Sequence, residues 1–169
     1  MSRLDSFIAR LHAQRDCLNF LKSYVDKLSG HVIDVGLGNG RTYDHLRELF
    51  PRRDIYVFER KVAAHPDCIP PADRLFLGEA RETIPLAARK LGATAALIHT
   101  DLGTGDHAAN MAMGEWLGPA LDLLAAPQSY VVSNQPLDVA RWTPLPEPPG
   151  VAKRRYFLYR VGWPTRRVG

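Results

Sequence analysis

The sequence predicts an α/β fold: a mostly parallel sheet with helices on both faces and a C-terminal antiparallel hairpin. Two observations predict it. Short apolar runs recur at 32–35, 55–58, 75–77, 95–100 and 129–133, and helix-like stretches lie between them. That alternation is the mark of parallel strands joined by right-handed crossovers. After Asn134 the pattern changes, because Pro136, Pro144, Pro146, Pro148 and Pro149 deny a regular helix. The alternating run from Arg155 to Val161, with Val139 to Thr143 as its partner, then reads as a hairpin closing one edge of the sheet.

A long N-terminal helix is expected at about 3–29, where Leu4, Phe7, Ile8, Leu11, Leu18, Leu21, Val25 and Leu28 recur at helical intervals. Ser2 and Asp5 form a capping pair at its start, and Gly30 offers a stop. Val32 to Val35 is the first strand, and a helix from Arg41 to Phe50 ends at Pro51. Ile55 to Phe58 is the second strand, ending at Glu59. The Pro- and Ala-rich stretch from Lys61 to Asp73 holds at most one short helix. Leu75 to Leu77 leads into Gly78-Glu79 and a helix from Arg81 to Leu91, closed by Gly92. Ala95 to Thr100 is the fourth strand, ending at Asp101. The loop from Leu102 to Asp106 opens a helix from about His107 to Leu124, and Ser129 to Ser133 is the fifth strand.

The 169 residues form one domain, 1–169, with no internal repeat or linker. Cys17 and Cys68 stand far apart in no C-x-x-C pair, which argues against a disulfide framework or structural zinc and suits a reducing cytoplasm. Charges at Arg3, Asp5, Arg10, Arg15 and Asp16 leave no apolar signal-peptide core. No apolar run approaches the roughly 20 residues that cross a bilayer, so a cytoplasmic protein without membrane contact is expected. The net charge is +4, with part of the excess in Lys153, Arg154, Arg155, Arg160, Arg166 and Arg167. A nucleic-acid footprint would look like this. A solvated tail and a charge-protected strand edge are the reading preferred, since such runs rarely mark a partner alone.

The informative stretch is Asp34-Val35-Gly36-Leu37-Gly38-Asn39-Gly40, between a buried strand and a helix. Glycines here let the chain turn sharply and let a ligand lie against the main chain, while the helix N-terminus favours an anion. A dinucleotide fingerprint places its third glycine three positions after the second. In this chain the glycines stand at 36, 38 and 40, and position 41 is arginine, which argues against an NAD(P)-dependent oxidoreductase. Glu59 lies about 20 residues beyond the loop, where a carboxylate can accept hydrogen bonds from ribose hydroxyls.

This order resembles the class I S-adenosylmethionine-dependent methyltransferases, a family of Rossmann-like fold. Their first motif reads acidic-x-Gly-x-Gly-x-Gly, and Asp34 to Gly40 match every fixed position. The likeness runs over about residues 30–135 and implies S-adenosyl-L-methionine as cofactor. It implies that Asp34, Gly36, Leu37, Gly38, Asn39 and Gly40 surround the methionine part, that Glu59, with Arg60, holds the ribose, and that Glu79, with Ala80, meets the adenine. Asp101 then stands beside the reacting methyl group, as part of the cofactor site and as the catalytic candidate. Glu79 has a second reading as a cap of the following helix. Asp106 and His107 likewise read either as a base beside Asp101 or as the first turn of a helix.

The sequence also departs from that pattern. Thr100-Asp101-Leu102-Gly103 replaces the Asn/Asp-Pro-Pro-Tyr of enzymes that methylate amino groups of DNA bases and glutamine. Asp101 and Asn134 match two of three positions of Mg²⁺-dependent O-methyltransferases, but Ser133 replaces the second Asp. The six histidines show no ligand spacing, so no metal is expected. Tyr130, Tyr156, Phe157 and Tyr159 suit a stacked aromatic substrate or, more ordinarily, the core. The expected acceptor is a small molecule, with RNA resting only on the basic C-terminus. A non-catalytic cofactor-binding module is the rival reading. The N-terminal helix and final hairpin are the expected lid and wall, and their apolar faces offer a homodimer interface.

Overall fold

The computed structural model describes residues 2–103 and 106–164, with the backbone alone at His107. Thr104 and Gly105 of the expected loop, and Arg166 and Arg167 of the basic tail, lie outside the described residues. Helix α1 (Arg3–Val25) opens with the expected capping box, in which Ser2 Oγ accepts the Asp5 N–H and the Asp5 side chain accepts the Ser2 N–H. It ends at Val25, not near Gly30. Gly30 serves another purpose. A Cβ there would sit 2.1 Å from the Thr94 carbonyl oxygen, so this glycine permits close approach to a neighbouring strand.

The strands are β1 (His31–Val35), β2 (Ile55–Glu59), β3 (Leu75–Leu77), β4 (Ala95–Thr100), β5 (Ala125–Ser133), β6 (Trp142–Leu145) and β7 (Phe157–Val161). They form one sheet in the order β3-β2-β1-β4-β5-β7-β6. The pairings from β3 through β5 are parallel, and β7 runs antiparallel to both β5 and β6. The expected hairpin is present, but β7 inserts next to β5 and leaves β6 at the edge. There Pro144, which has no N–H to donate, is tolerated. Strand β5 begins at Ala125, before the expected Ser129, because Ala125 already pairs with Ala95 across a register irregularity.

Helices α2 (Arg41–Leu49), α3 (Ala80–Leu91) and α4 (His107–Asp122) complete the crossovers, while Pro66–Cys68 and Ala72–Arg74 make two single 3-10 turns where at most one was expected. Leu18, Leu21, Val25 and Leu46 pack with Val32, Val57, Leu97 and Val132 on one face. Ile84, Leu117 and Leu121 pack with Ile33, Phe58, Ile98 and Val131 on the other. Both faces of the central strands are therefore buried, which is why those strands read as continuous apolar runs.

One departure matters for function. The apolar stripe of α1 is buried at Leu18, Leu21 and Val25, yet Leu4, Phe7 and Ile8 are exposed. A helix of 23 residues is about 35 Å long. A strand of five or six residues spans only about 17–20 Å. The N-terminal half of α1 therefore overhangs the carboxyl ends of the strands, bringing Arg10 and Gln14 to Asp101. No described helix is long and apolar enough to cross a membrane.

Candidate functional site

Strand β1 is flanked by β2 on one side and β4 on the other, so the chain leaves the sheet in opposite directions at this point. The loops after β1, β2 and β4 diverge and open a crevice beyond the carboxyl ends. The glycine loop forms its floor. Gly36, Gly38 and Gly40 all take positive φ, at 99°, 51° and 85°. They do different work. A Cβ on Gly36 would come within 3.0 Å of the Asp101 carbonyl oxygen, and one on Gly40 within 2.4 Å of Cys68 Cβ, but one on Gly38 would meet nothing within 4 Å. Two of the glycines thus let the backbone pack, and the middle one leaves a bare surface.

Glu59 braces that loop. Its Oε2 accepts the Gly38 N–H at 3.1 Å, and its Oε1 accepts the N–H groups of Arg60 at 2.7 Å and Lys61 at 3.1 Å. A carboxylate has about four acceptor positions, so capacity remains for a ligand hydroxyl. Two cavities meet along this line. One, of about 530 Å³, is lined by Arg10, Gln14, Leu37, Asn39, Glu59 and Asp101, with Gly36 and Gly38. The other, of about 560 Å³, is lined by Phe58, Arg60, Glu79, Ala80, Met113 and Trp116. They share Gly36, Glu59, Leu102 and Gly103. Both sizes are ordinary for a small-ligand site, about 300–1,000 Å³.

A chain of polar side chains lies under the crevice. Asp34 is fully buried, and its Oδ1 meets His99 Nδ1 at 2.8 Å. Gln14 Nε2 lies 3.0 Å from His99 Nε2 and 3.4 Å from Asp101 Oδ2. A carboxylate only accepts, so that amide nitrogen donates to Asp101 and, with its second hydrogen, to His99. His99 then carries its proton on Nδ1 and donates it to Asp34. Burial pushes the Asp34 carboxyl above its usual range, and the bond from His99 opposes that shift. The ring of Tyr156 stacks on His99. At the other end, Arg10 Nη1 donates to both Asp101 oxygens, at 3.2 and 3.1 Å.

The expected residues therefore separate into two sets. Gly36, Leu37, Gly38, Asn39, Glu59 and Asp101 line the first cavity, and Arg60, Glu79 and Ala80 line the second. Asp34 and Gly40 line neither and support the loop from behind. Glu79 occupies the N-cap position of α3 but makes no capping bond with its side chain, which is exposed and 3.8 Å from Arg60. Asp106 is a true cap of α4, accepting from the N–H groups of Ala108 and Ala109. The sequence reading missed Arg10, Gln14, Met113 and Trp116. Arg10 and Gln14 stand four apart and so share one face of α1, but that helix carries many polar residues and nothing in the sequence marked these two. Trp116, beneath the Arg81 guanidinium at 4.7 Å, was not marked either.

Comparison with known proteins adds the family. A family model described as S-adenosyl-L-methionine methyltransferase matches residues 1–161. The crystal structure of an S-adenosyl-L-methionine methyl transferase from Silicibacter pomeroyi DSS-3 is 44% identical, with 96% of this chain and 99% of that chain covered and a TM-score of 0.92. The antibiotic-resistance methyltransferase Kmr is 12% identical, covers 85% of this chain and 92% of its own, and has a TM-score of 0.56. Human Methyltransferase-like protein 13, in complex with SAH, is 15% identical, with 95% and 81% covered and a TM-score of 0.57. These two share the fold. No curated protein matches the chain in sequence.

Proposed function

The chain belongs to the S-adenosyl-L-methionine methyltransferase family and uses that cofactor, and we propose that it methylates a small-molecule acceptor in the crevice above β1 and β4. The observation that carries this reading is the bare surface at Gly38, where a Cβ would meet nothing within 4 Å, in a cavity also lined by Glu59 and Asp101. A ligand can lie flat there against the main chain, so the donor set fits the cofactor.

In this reading Gly36, Leu37, Gly38 and Asn39 support the methionine part and Glu59 accepts from the ribose. Arg60, Glu79, Ala80 and Trp116 border the adenine. Asp34 and Gly40 are positioning residues, Asp34 acting through His99 and Gln14. Bound S-adenosyl-L-methionine would supply an electrophilic methyl carbon to the acceptor lone pair, held in place by the residues just named. The protein supplies alignment. Asp101, aimed by Arg10 and Gln14, takes the proton that an O–H or N–H acceptor releases. The whole chain acts as one cofactor domain, with α1 as the wall over Asp101. Two free cysteines, Cys17 and Cys68, suit a cytoplasmic setting.

Calorimetric titration tests this reading. S-adenosyl-L-methionine binds the native protein in the micromolar range and NAD⁺ does not; Glu59→Gln weakens binding at least tenfold. Asp101→Asn retains cofactor affinity within about threefold and lowers turnover about 100-fold. Equal cofactor affinity in Glu59→Gln would place the ribose elsewhere.

A further inference from the structure

A third cavity, of about 490 Å³, lies between the first turns of α4 and the chain leaving β5. It shares Asn110 and Asn134 with the cavity that holds Asp101. Met111, Pro136, Leu137 and Phe157 give it apolar walls. Gln135, on its lining, is 7% exposed, and neither its Oε1 nor its Nε2 has a hydrogen-bond partner. The Oδ1 of the adjacent Asn134 is also buried and unpartnered, while its Nδ2 donates to the Leu102 carbonyl at 2.9 Å.

Buried amides are almost always satisfied, because leaving a donor or acceptor unmade costs about 1–3 kcal/mol. Here the orphaned atoms stand on consecutive residues at the carboxyl end of a strand, beside the place of methyl transfer. Both Gln135 atoms are covered in the free protein, so a ligand in the cavity meets them through a turn of that side chain, which then gains the partners it lacks. A primary amide presents one acceptor and one donor side by side, and its complement is a group with the same pair reversed.

Resting on the cofactor reading above, we propose that this cavity is the acceptor subsite and that Gln135 recognises a neutral, planar carboxamide or lactam edge. With the Gln135 side chain turned into the cavity, such a group offers an N–H to Oε1 and a carbonyl oxygen to Nε2, while its ring or chain lies against the Met111 and Phe157 walls. A site built to hydrogen-bond both atoms rejects analogues lacking either one, because the amide is then left unpaired again. An anionic analogue is disfavoured as well, since Glu115 and Asp138 border the cavity against Arg154 alone.

The test uses the full chain saturated with S-adenosyl-L-homocysteine, titrated with benzamide and 2-pyridone against benzoate and acetophenone and followed by NMR. Both amides bind the native protein at least tenfold more tightly than either control, and they shift the Met111 methyl and Phe157 ring signals. Gln135→Leu removes the discrimination, leaves the S-adenosyl-L-homocysteine affinity unchanged, and raises the melting temperature of the free protein because the orphaned amide is gone. Absence of amide binding to the native protein, equal binding of all four probes, or unaltered discrimination in Gln135→Leu overturns the proposal. Failure of S-adenosyl-L-homocysteine itself to bind overturns the cofactor reading beneath it.

Discussion

Cys17 shows how far burial alone sets a side chain's chemistry. It is fully buried on the core-facing side of α1, and desolvation pushes its thiol from 9.0 up to about 12. The native protein therefore keeps a proton that the unfolded chain releases near pH 9. Where the folded state binds more protons, stability falls as pH rises, so this contribution is whole below pH 9 and is lost on the way to pH 12. Buried Tyr156, also raised, acts in the same direction. Urea midpoints measured at pH 8 and pH 11 are expected to drop at the higher pH, and Cys17→Ala flattens that slope although it lowers the midpoint at pH 8. In the native state at pH 8, alkylation modifies Cys68 and spares Cys17. An equal slope in Cys17→Ala would show that the thiol does not titrate in this window.

Among the elements, the loop from β1 to α2 separates binding from folding within five residues. Gly40 is pressed against Cys68, whereas Gly38 faces open space. Gly40→Ala is expected to destabilise the protein by about 2 kcal/mol or more, through left-handed strain and a backbone shift against Cys68. Gly38→Ala carries only the left-handed penalty, about 1–2 kcal/mol, but sets a methyl group in the proposed cofactor site. Thermal melts and cofactor titrations on both variants check this. The larger loss of stability belongs to Gly40→Ala, and Gly38→Ala loses affinity at least tenfold while folded. Helix α1 makes a similar division along its length, since its C-terminal half packs the core and its overhang carries Arg10 and Gln14 to Asp101.

The whole molecule keeps stability and chemistry at opposite ends of the sheet. Away from the crevice, Arg141 donates to the carbonyls of Asp122, Ala125 and Gly162, and its Nε meets the Asp122 carboxylate. Trp142 Nε1 donates to the same carboxylate at 2.6 Å. This knot ties the edge strand β6 and the chain after β7 to the junction of α4 and β5. Arg141→Met leaves three carbonyls and a partly buried carboxylate short of a partner. It should cost about 2–4 kcal/mol in urea unfolding while cofactor affinity stays within threefold. A matching loss of affinity would show that the two ends are coupled.

Periodicity and local chemistry made most of the parallel sheet legible: the five parallel strands, the Ser2 capping box, the Asp106 cap and the glycine loop each need only neighbours in the chain. Glu59 and Asp101 were legible too, because a strand end in this alternation points to a known edge. What the chain could not state alone were matches between distant segments. Gly30 looks like a helix stop until Thr94 is seen against it. That Asp34 is bonded to His99, 65 residues away, shows only in the packed structure. Arg10 and Gln14 gained their meaning from the length of α1 relative to the strands, and Gln135 from being buried without a partner. Patterns within a turn or a strand are fixed by backbone geometry and can be read in order. Burial, partnership and the shape of a cavity arise only when elements from separate stretches pack together, so tertiary structure alone decided which polar residues brace the crevice and which face into it.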